Sequence, residues 1–200
     1  MRKEDFYEES KKFFLDTYWK NDNKKDFYSL NGFDGSPESV YSVFCAEINK
    51  KGIVLDLGCG NGLMLKYLMN SSVYRLIPYG VDFLEKSIEQ AKTIIHPENR
   101  DHFLIQNIVD YNFDAGPFDF IFCAPHHIYS EDRMKFFAKL MANCRKGGKI
   151  IFYVYSNKLK NEKPNVFAGA PELKKFLLIV KTFPGLSIAV WENTNNCKDV

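Results

Sequence analysis

Apolar residues follow two patterns along the chain, and the patterns alternate from about residue 53 onward. Short, nearly continuous apolar runs occupy residues 53–57, 78–82, 102–106, 118–123 and 149–155. The stretches between most of these runs place apolar residues three and four positions apart, which is typical of amphipathic helices. Strands that alternate with helices predict βαβ units and a mainly parallel sheet.

The second half of the chain adds a long helix and a hairpin to this pattern. The helix is expected to begin at Ser130 and to end at Gly147-Gly148, because glycines often terminate helices. Its predicted apolar face consists of Met134, Phe137, Leu140, Met141 and Cys144. A short helix is expected around residues 172–176. Residues 177–182 and 186–191, joined by a Pro-Gly turn, predict an antiparallel hairpin.

The first 35 residues are polar but carry many aromatic side chains. Tyr7, Phe14 and Tyr18 lie at roughly helical spacing, which predicts a helix over residues 5–20. A second helix is expected to start at Ser36-Pro37-Glu38, with a capping residue, a proline in the first turn and an acid, and to reach residue 48.

Length, charge and cysteine content narrow the class of protein. With 200 residues and a 46% hydrophobic fraction, the chain is expected to form a single globular domain over residues 1–200. The net charge of +2 is too small to favour binding to nucleic acid or membranes through overall electrostatic attraction. No apolar run is long enough for a membrane helix or signal peptide, so we expect a cytoplasmic protein. The five cysteines form no C-x-x-C pair and predict neither zinc nor a redox couple.

Alternating glycines interrupt the first apolar run of this pattern. After Asp56, glycines occupy positions 58, 60 and 62, and an apolar periodic segment follows. This predicts a strand, a glycine turn and a helix whose N-terminus would favour a ligand with a negative group. A dinucleotide fingerprint would require a glycine at position 63, which is Leu63 here. The alternative without any ligand is a purely structural turn.

The spacing of Asp56, Gly58, Gly60 and Gly62 resembles the first motif of class I S-adenosylmethionine (SAM) dependent methyltransferases. The resemblance extends over about residues 36–192, and it implies a three-layer α/β sandwich. Its seven-stranded, mostly parallel sheet would have the order 3-2-1-4-5-7-6, with strand 7 antiparallel. It further implies SAM as cofactor, S-adenosylhomocysteine (SAH) as product, a helical lid formed by residues 1–35 and a SAM-binding core formed by residues 36–200. The alternative for the N-terminal helix is that it simply packs on the core of the domain.

The resemblance also assigns cofactor contacts at the strand ends. Asp56 would hold the SAM amino group directly or through water, and Asp82, at the end of the second strand, would accept hydrogen bonds from the ribose hydroxyls. Phe83 either lies against the adenine or packs as an ordinary helix-start residue. Asn107 and the backbone N–H of Ile108 would bind the adenine, with Asp110 as the alternative to Asn107. The remaining predicted cofactor contacts are the turn residues Gly58, Cys59 and Gly60 and the strand-end residue Cys123.

The acceptor should lie near the end of the fourth strand, where His126, His127 and Tyr129 are the candidate catalytic residues. A base is needed only if the acceptor carries a proton, and the histidines could instead be structural. Cys123-Ala124-Pro125-His126 lacks the [D/N/S]-P-P-[Y/F] motif of amino-group methylases of nucleic-acid bases and glutamine. It also lacks the carboxylate of magnesium-dependent enzymes, and we predict no metal.

These observations predict a SAM-dependent methyltransferase that acts on an O or N atom of a small molecule by in-line displacement. We expect no nucleic-acid or membrane partner and a monomer or homodimer. Two alternatives remain open. The chain could methylate tRNA, rRNA or protein with the help of a partner, or it could bind SAM or another nucleoside without transferring a methyl group.

Overall fold

The computed structural model describes residues 1–19, 37–155, 163–176 and 178–194. Its centre is a seven-stranded sheet with the order β3-β2-β1-β4-β5-β7-β6. Strands β1 to β5 pair in parallel, whereas β7 runs antiparallel to both β5 and β6. This arrangement confirms the predicted sheet. The strands are β1 (Gly52–Leu57), β2 (Leu76–Asp82), β3 (Phe103–Ile105), β4 (Phe118–Cys123), β5 (Cys144–Tyr155), β6 (Ile179–Phe183) and β7 (Leu186–Glu192).

Helices and short 3₁₀ turns connect the strands. The helices are α1 (Lys3–Trp19), α2 (Pro37–Cys45), α3 (Leu63–Ser71), α4 (Glu85–Ile94), α5 (Ser130–Ala142) and the single turn α6 (Val166–Gly169). The 3₁₀ turns are Pro97–His102, Ile108–Asp110, Pro125–His127 and Pro171–Lys175. Among the described residues, none of these helices has the length and apolar character that crossing a membrane requires.

Both faces of the sheet are buried, which explains the nearly continuous apolar runs of its strands. Val54 and Phe120 contribute to a core on one face, together with residues of α2, α3 and α4. Leu55 and Ile121, their neighbours along the same strands, contribute to the core on the other face with α5. Because successive strand residues point to opposite faces, each strand supplies both cores. The result is the three-layer sandwich that the sequence predicts.

The predicted end of the helix after β4 is wrong. Helix α5 ends at Ala142, the Asn143 N–H caps it by bonding to the Lys139 and Leu140 carbonyls, and β5 begins at once. Gly147 and Gly148 lie inside β5, next to an irregularity in its pairing with β4. A Cβ on Gly148 would lie 2.8 Å from the Asp119 carbonyl oxygen. Gly148 therefore lets two strands approach closely, Gly147 adopts a left-handed backbone with a φ angle of 68°, and neither glycine stops a helix.

Other boundaries and one helix face also differ from the prediction. Helix α5 buries Phe136 where the spacing predicted Met134, which is 38% exposed. Helix α2 ends at Cys45, before the predicted residue 48, although Ile48 is still buried in the core. The predicted short helix near residue 172 is a 3₁₀ turn. The N-terminal helix is present as α1, and the part of the predicted lid after Trp19 lies outside the described residues.

Candidate cofactor and acceptor site

The turn after β1 lies at the carboxyl edge of the sheet, where parallel α/β sheets bind their ligands. Gly58, Gly60 and Gly62 all have left-handed backbone conformations, with φ angles of 89°, 53° and 75°. No atom lies within 4 Å of the position that a Cβ of Gly58 would take. The backbone at Gly58 is therefore open to close approach by a ligand, and a non-glycine residue would be strained there.

Gly62 has a different role, because it allows two helices to pack. It lies directly before α3, and a Cβ at this position would lie 3.0 Å from the Cβ of Ala91 on α4. A larger residue would separate the helix from its neighbour. The third glycine of the motif thus serves the packing of the fold, whereas Gly58 faces open space.

The Asp82 carboxylate links the glycine turn to the turn after β2. One oxygen accepts the Gly60 N–H at 2.9 Å, and the other accepts the Leu84 N–H at 2.8 Å. Burial raises the pKa of Asp82, and these N–H groups oppose the increase because they stabilise the charged form. Each carboxylate oxygen can accept more than one hydrogen bond. Asp82 therefore has capacity left for ribose hydroxyls, and that contact stays a prediction.

Asp56 is the most unusual polar group of this region. Its carboxyl is 2% exposed, and its Oδ1 has no hydrogen-bond partner among the described residues. Burial and, to a smaller extent, the nearby Asp82 raise the pKa of Asp56 to about 8. A buried acceptor without a donor is costly to the fold. The residues present therefore fit a cofactor that carries an ammonium group.

The two predicted cysteine contacts are enclosed by the core. Cys123 is fully buried, and Cys59 is 6% exposed, with its thiol near the Gly60 carbonyl. Burial raises the pKa of both thiols, so neither is a reactive thiolate at neutral pH. The backbone N–H groups of Gly58 and Cys59 both donate to the Val81 carbonyl. Any cofactor contact by either cysteine would therefore involve its remaining backbone atoms.

The predicted adenine contacts follow β3. The Asn107 side-chain oxygen accepts the Val109 N–H at 3.3 Å and so caps the Ile108–Asp110 turn. Ile108 is buried, so only its backbone can face a ligand, as predicted for its N–H. Asp110, the alternative to Asn107, is exposed at the far end of the turn. The structure tests neither assignment, and both stay predictions.

The 3₁₀ turn Pro125–His127 after β4 places the two histidine rings side by side, with their centroids 4.1 Å apart. His126 Nδ1 is buried, without a hydrogen-bond partner among the described residues. Burial, followed by the charge of Arg133, lowers the pKa of His126 to about 4. Burial also lowers the pKa of His127. Both rings are therefore neutral at neutral pH, where they can accept a proton but only as weak bases.

Tyr129, the third candidate catalytic residue, contacts the N-terminal helix. Its hydroxyl donates to the Met1 carbonyl at 3.0 Å, and its backbone N–H donates to the Tyr7 hydroxyl at 3.3 Å. The Tyr7 hydroxyl in turn donates to Asp132, which also forms an ion pair with Lys3 at 2.7 Å. In this structure, Tyr129 helps to attach α1 to the domain.

Two further residues, not predicted from the sequence, support the histidine turn. Arg133 donates to the Ile128 carbonyl at 2.9 Å and contacts Glu172 at 3.4 Å. Gly169 lies so close to His126 that a Cβ on the glycine would be 2.7 Å from the His126 Cβ. Their partners lie on other elements, so no local sequence signal marks them. The described residues contain no cluster of His, Cys, Asp and Glu side chains that could hold a metal ion.

The strand order, the antiparallel β7 and the glycine turn with its buried acid define the Rossmann-like methyltransferase fold. Residues 54–148 match a family model described as a methyltransferase domain. The matched segment is just under half of the chain, and together with the fold it supports a SAM-dependent methyltransferase with SAM as cofactor and SAH as product. No curated protein sequence matches the chain.

Solved structures share this fold at low sequence identity. Magnesium protoporphyrin IX methyltransferase from Synechocystis PCC 6803, with bound SAM, is 18% identical, with a TM-score of 0.62 over 94% of this chain and 97% of that one. A plantazolicin methyltransferase, in complex with a triazolic desmethylPZN analog and SAH, is 15% identical, with a TM-score of 0.61 over 97% of this chain and 100% of that one. An rRNA methylase from Streptococcus thermophilus is 13% identical, with a TM-score of 0.57 over 80% and 98%. At these identities the similarity shows the fold alone.

Proposed function

We propose that this methyltransferase transfers the methyl group of SAM to an O or N atom of a small-molecule acceptor by in-line displacement. The observation that carries the cofactor part is the buried Asp56 oxygen, which has no partner among the described residues and lies near the end of β1, just before the turn that leaves Gly58 open. SAM supplies a methyl group already activated by a positive sulfur. The protein therefore has mainly to align the acceptor with this methyl group and to exclude water.

The residues of the glycine turn and the strand ends would hold the donor. Asp56 would accept the ammonium group of the cofactor, and Asp82 would accept the ribose hydroxyls while it keeps the turn in place. Gly58 would let the cofactor lie against the backbone. Asn107 and the Ile108 N–H would bind the adenine. This assignment gives the buried Asp56 oxygen the donor that the described residues do not provide.

The neutral histidines and helix α1 would form the acceptor side. An uncharged imidazole at His126 or His127 can take the proton of a hydroxyl or amine acceptor. Helix α1 lies near this turn, where Phe14 contacts His127 with 5.1 Å between ring centroids. Residues 1–35 would thus serve as a lid that excludes water. A helix in this position favours a small acceptor over a long polymer.

An RNA acceptor is the second candidate, because solved structures of the same fold include rRNA methylases. The two candidates differ in the acceptor required for turnover. We would incubate the protein with radiolabelled SAM and either metabolite extracts or total RNA. Label transferred to small molecules supports the proposal, whereas label transferred only to RNA supports the second candidate. SAH binding without any transfer supports a non-catalytic binding protein.

Cofactor binding is tested first, with a pair of glycine variants. Gly58 and Gly185 have nearly equal φ angles of 89° and 84°, but Gly185 lies in the β6–β7 hairpin turn. Gly58→Ala should abolish or strongly weaken SAH binding, whereas Gly185→Ala should carry a similar backbone strain and keep binding. At about 100 times its Kd, SAH should stabilise the wild type by about 2.7 kcal/mol. Stabilisation by NAD but not by SAH would contradict the cofactor assignment.

A further inference from the structure

The ring of Phe14 on α1 is located between two residues that follow different strands. Its centroid lies 6.0 Å from that of Phe83, directly after β2, and 5.1 Å from that of His127, after β4. Both contacts are edge-on, with interplanar angles of 61° and 78°. Phe83 follows the predicted ribose-binding residue, and His127 belongs to the turn near which the methyl group should emerge. The Phe14 ring therefore lies between the donor side and the acceptor side.

The surroundings of this ring favour uncharged aromatic groups. Edge-to-face contacts between rings are favourable beyond the burial of their surface. The lowered pKa values of His126 and His127 keep both imidazoles neutral, so they provide no positive charge for an anion. Among the described residues, two cations near the turn are paired with acids, Arg133 with Glu172 and Lys3 with Asp132.

Helix α1 is attached to the domain near its N-terminus. Its polar contacts to Asp132 and Tyr129 come from Lys3 and Tyr7, in the first two turns of the helix. Phe14 lies about two turns further along the helix. For an acceptor to lie between Phe83 and His127, the Phe14 side chain would have to change rotamer, or this part of the helix would have to move.

We propose that the acceptor is a flat, uncharged aromatic molecule whose ring takes the place of the Phe14 ring between Phe83 and His127. This inference rests on the proposed function and specifies its substrate class. For a hydroxyl acceptor, an oxygen lone pair forms the new bond to the methyl carbon while the electron pair of the carbon–sulfur bond returns to sulfur. The hydroxyl proton passes to a neutral imidazole of the turn or to water. The products are the aryl methyl ether and SAH.

Three matched probes test the substrate class on the full-length protein saturated with SAH. The probes are 2-naphthol, its saturated analogue decahydro-2-naphthol and its anionic analogue 2-naphthyl phosphate. Isothermal titration calorimetry should show that 2-naphthol binds at least about tenfold more tightly than either analogue, because only 2-naphthol is both aromatic and uncharged. Equal affinities, or tighter binding of the phosphate, would overturn the proposal. Binding of SAH is measured first, so that a failure of the cofactor assignment is seen separately.

Two neighbouring phenylalanines test the replacement of the ring. Phe14→Ala should bind 2-naphthol about tenfold more tightly, because the probe no longer competes with the Phe14 ring. Phe13 is 59% exposed and touches Phe14 with 5.4 Å between centroids, so Phe13→Ala serves as the control and should leave the affinity unchanged. Unchanged or weaker binding by Phe14→Ala would overturn the replacement. In the wild type, SAH binding without any preference for the aromatic probe would reject the substrate class and leave the proposed function intact.

Discussion

Replacement of Asp56 by Asn tests whether the buried Asp56 carboxyl, next to the predicted cofactor site, lowers the stability of the fold. Burial and the nearby Asp82 raise the pKa of Asp56 from 3.8 to about 8. The pKa of Asp56 is higher in the folded state than in the unfolded state. The free energy of unfolding that this group contributes is therefore fully present below about pH 3.8, and it is lost as the pH rises through about 8. Asn has nearly the same shape and stays neutral, so Asp56→Asn should avoid this loss.

The size of the effect follows from the width of the pH window. Between the two pKa values, about 3.8 and 8, each increase of one pH unit lowers the free energy of unfolding of the wild type by at most about 1.4 kcal/mol. From about pH 5 to pH 7, the stability of Asp56→Asn relative to wild type should therefore increase by about 2 to 3 kcal/mol. For a chain of this length, that difference corresponds to a change in Tm of about 5 to 10 °C.

Urea unfolding followed by circular dichroism, at both pH values and constant ionic strength, measures this difference. Asp101 is exposed and provides the control, since Asp101→Asn should show the same small difference from wild type at both pH values. If the free energies of unfolding of Asp56→Asn and wild type differ by the same amount at both pH values, the raised pKa of a buried Asp56 carboxyl is refuted. SAH adds a second test, because pairing with its ammonium group should favour the ionised carboxyl. Wild-type affinity for SAH should then rise between about pH 6 and pH 8, and the rise should be absent in Asp56→Asn.

Three further substitutions test the site and its support. Asp82→Ala should weaken SAH binding, measured by calorimetry, by about 1 to 3 kcal/mol, because this is the scale of a lost hydrogen bond to a charged group. An unchanged Kd would contradict the predicted contact between Asp82 and the ribose. Asp119 is buried, accepts a backbone N–H and pairs with two cations, so Asp119→Ala should lower the free energy of unfolding by about 3 kcal/mol in urea. Exposed Asp114, replaced by Ala, is its control. Gly80→Ala would place a Cβ 2.6 Å from the Phe103 ring, so it should lower the free energy of unfolding by about 1 to 3 kcal/mol. An unchanged urea midpoint would show that the strands adjust to the added methyl group.

The sequence predicts those parts of the fold whose signals are local. The strand over residues 118–123 is predicted with the bounds that the structure shows, because a buried parallel strand needs a nearly continuous apolar run. The end of α5 could not be predicted in the same way. Gly147 and Gly148 suggest a helix stop, but the role of Gly148 depends on Asp119, which only the pairing of β4 with β5 brings close. Phe136 is buried in place of Met134 for a related reason, since the angle at which a helix meets the sheet decides which side chains it buries.

The same distinction applies to the site. The acid and glycine spacing from Asp56 to Gly62 is a local requirement of one strand, turn and helix, because left-handed backbone and close approach both demand glycine at particular positions. The sequence by itself therefore predicts the class of cofactor and the segment that would bind it. Only the tertiary structure decides that one Asp56 oxygen is buried without a donor and that the Phe14 ring meets both Phe83 and His127. Desolvation and ring contacts depend on every element that surrounds a side chain, and those elements come from distant parts of the sequence.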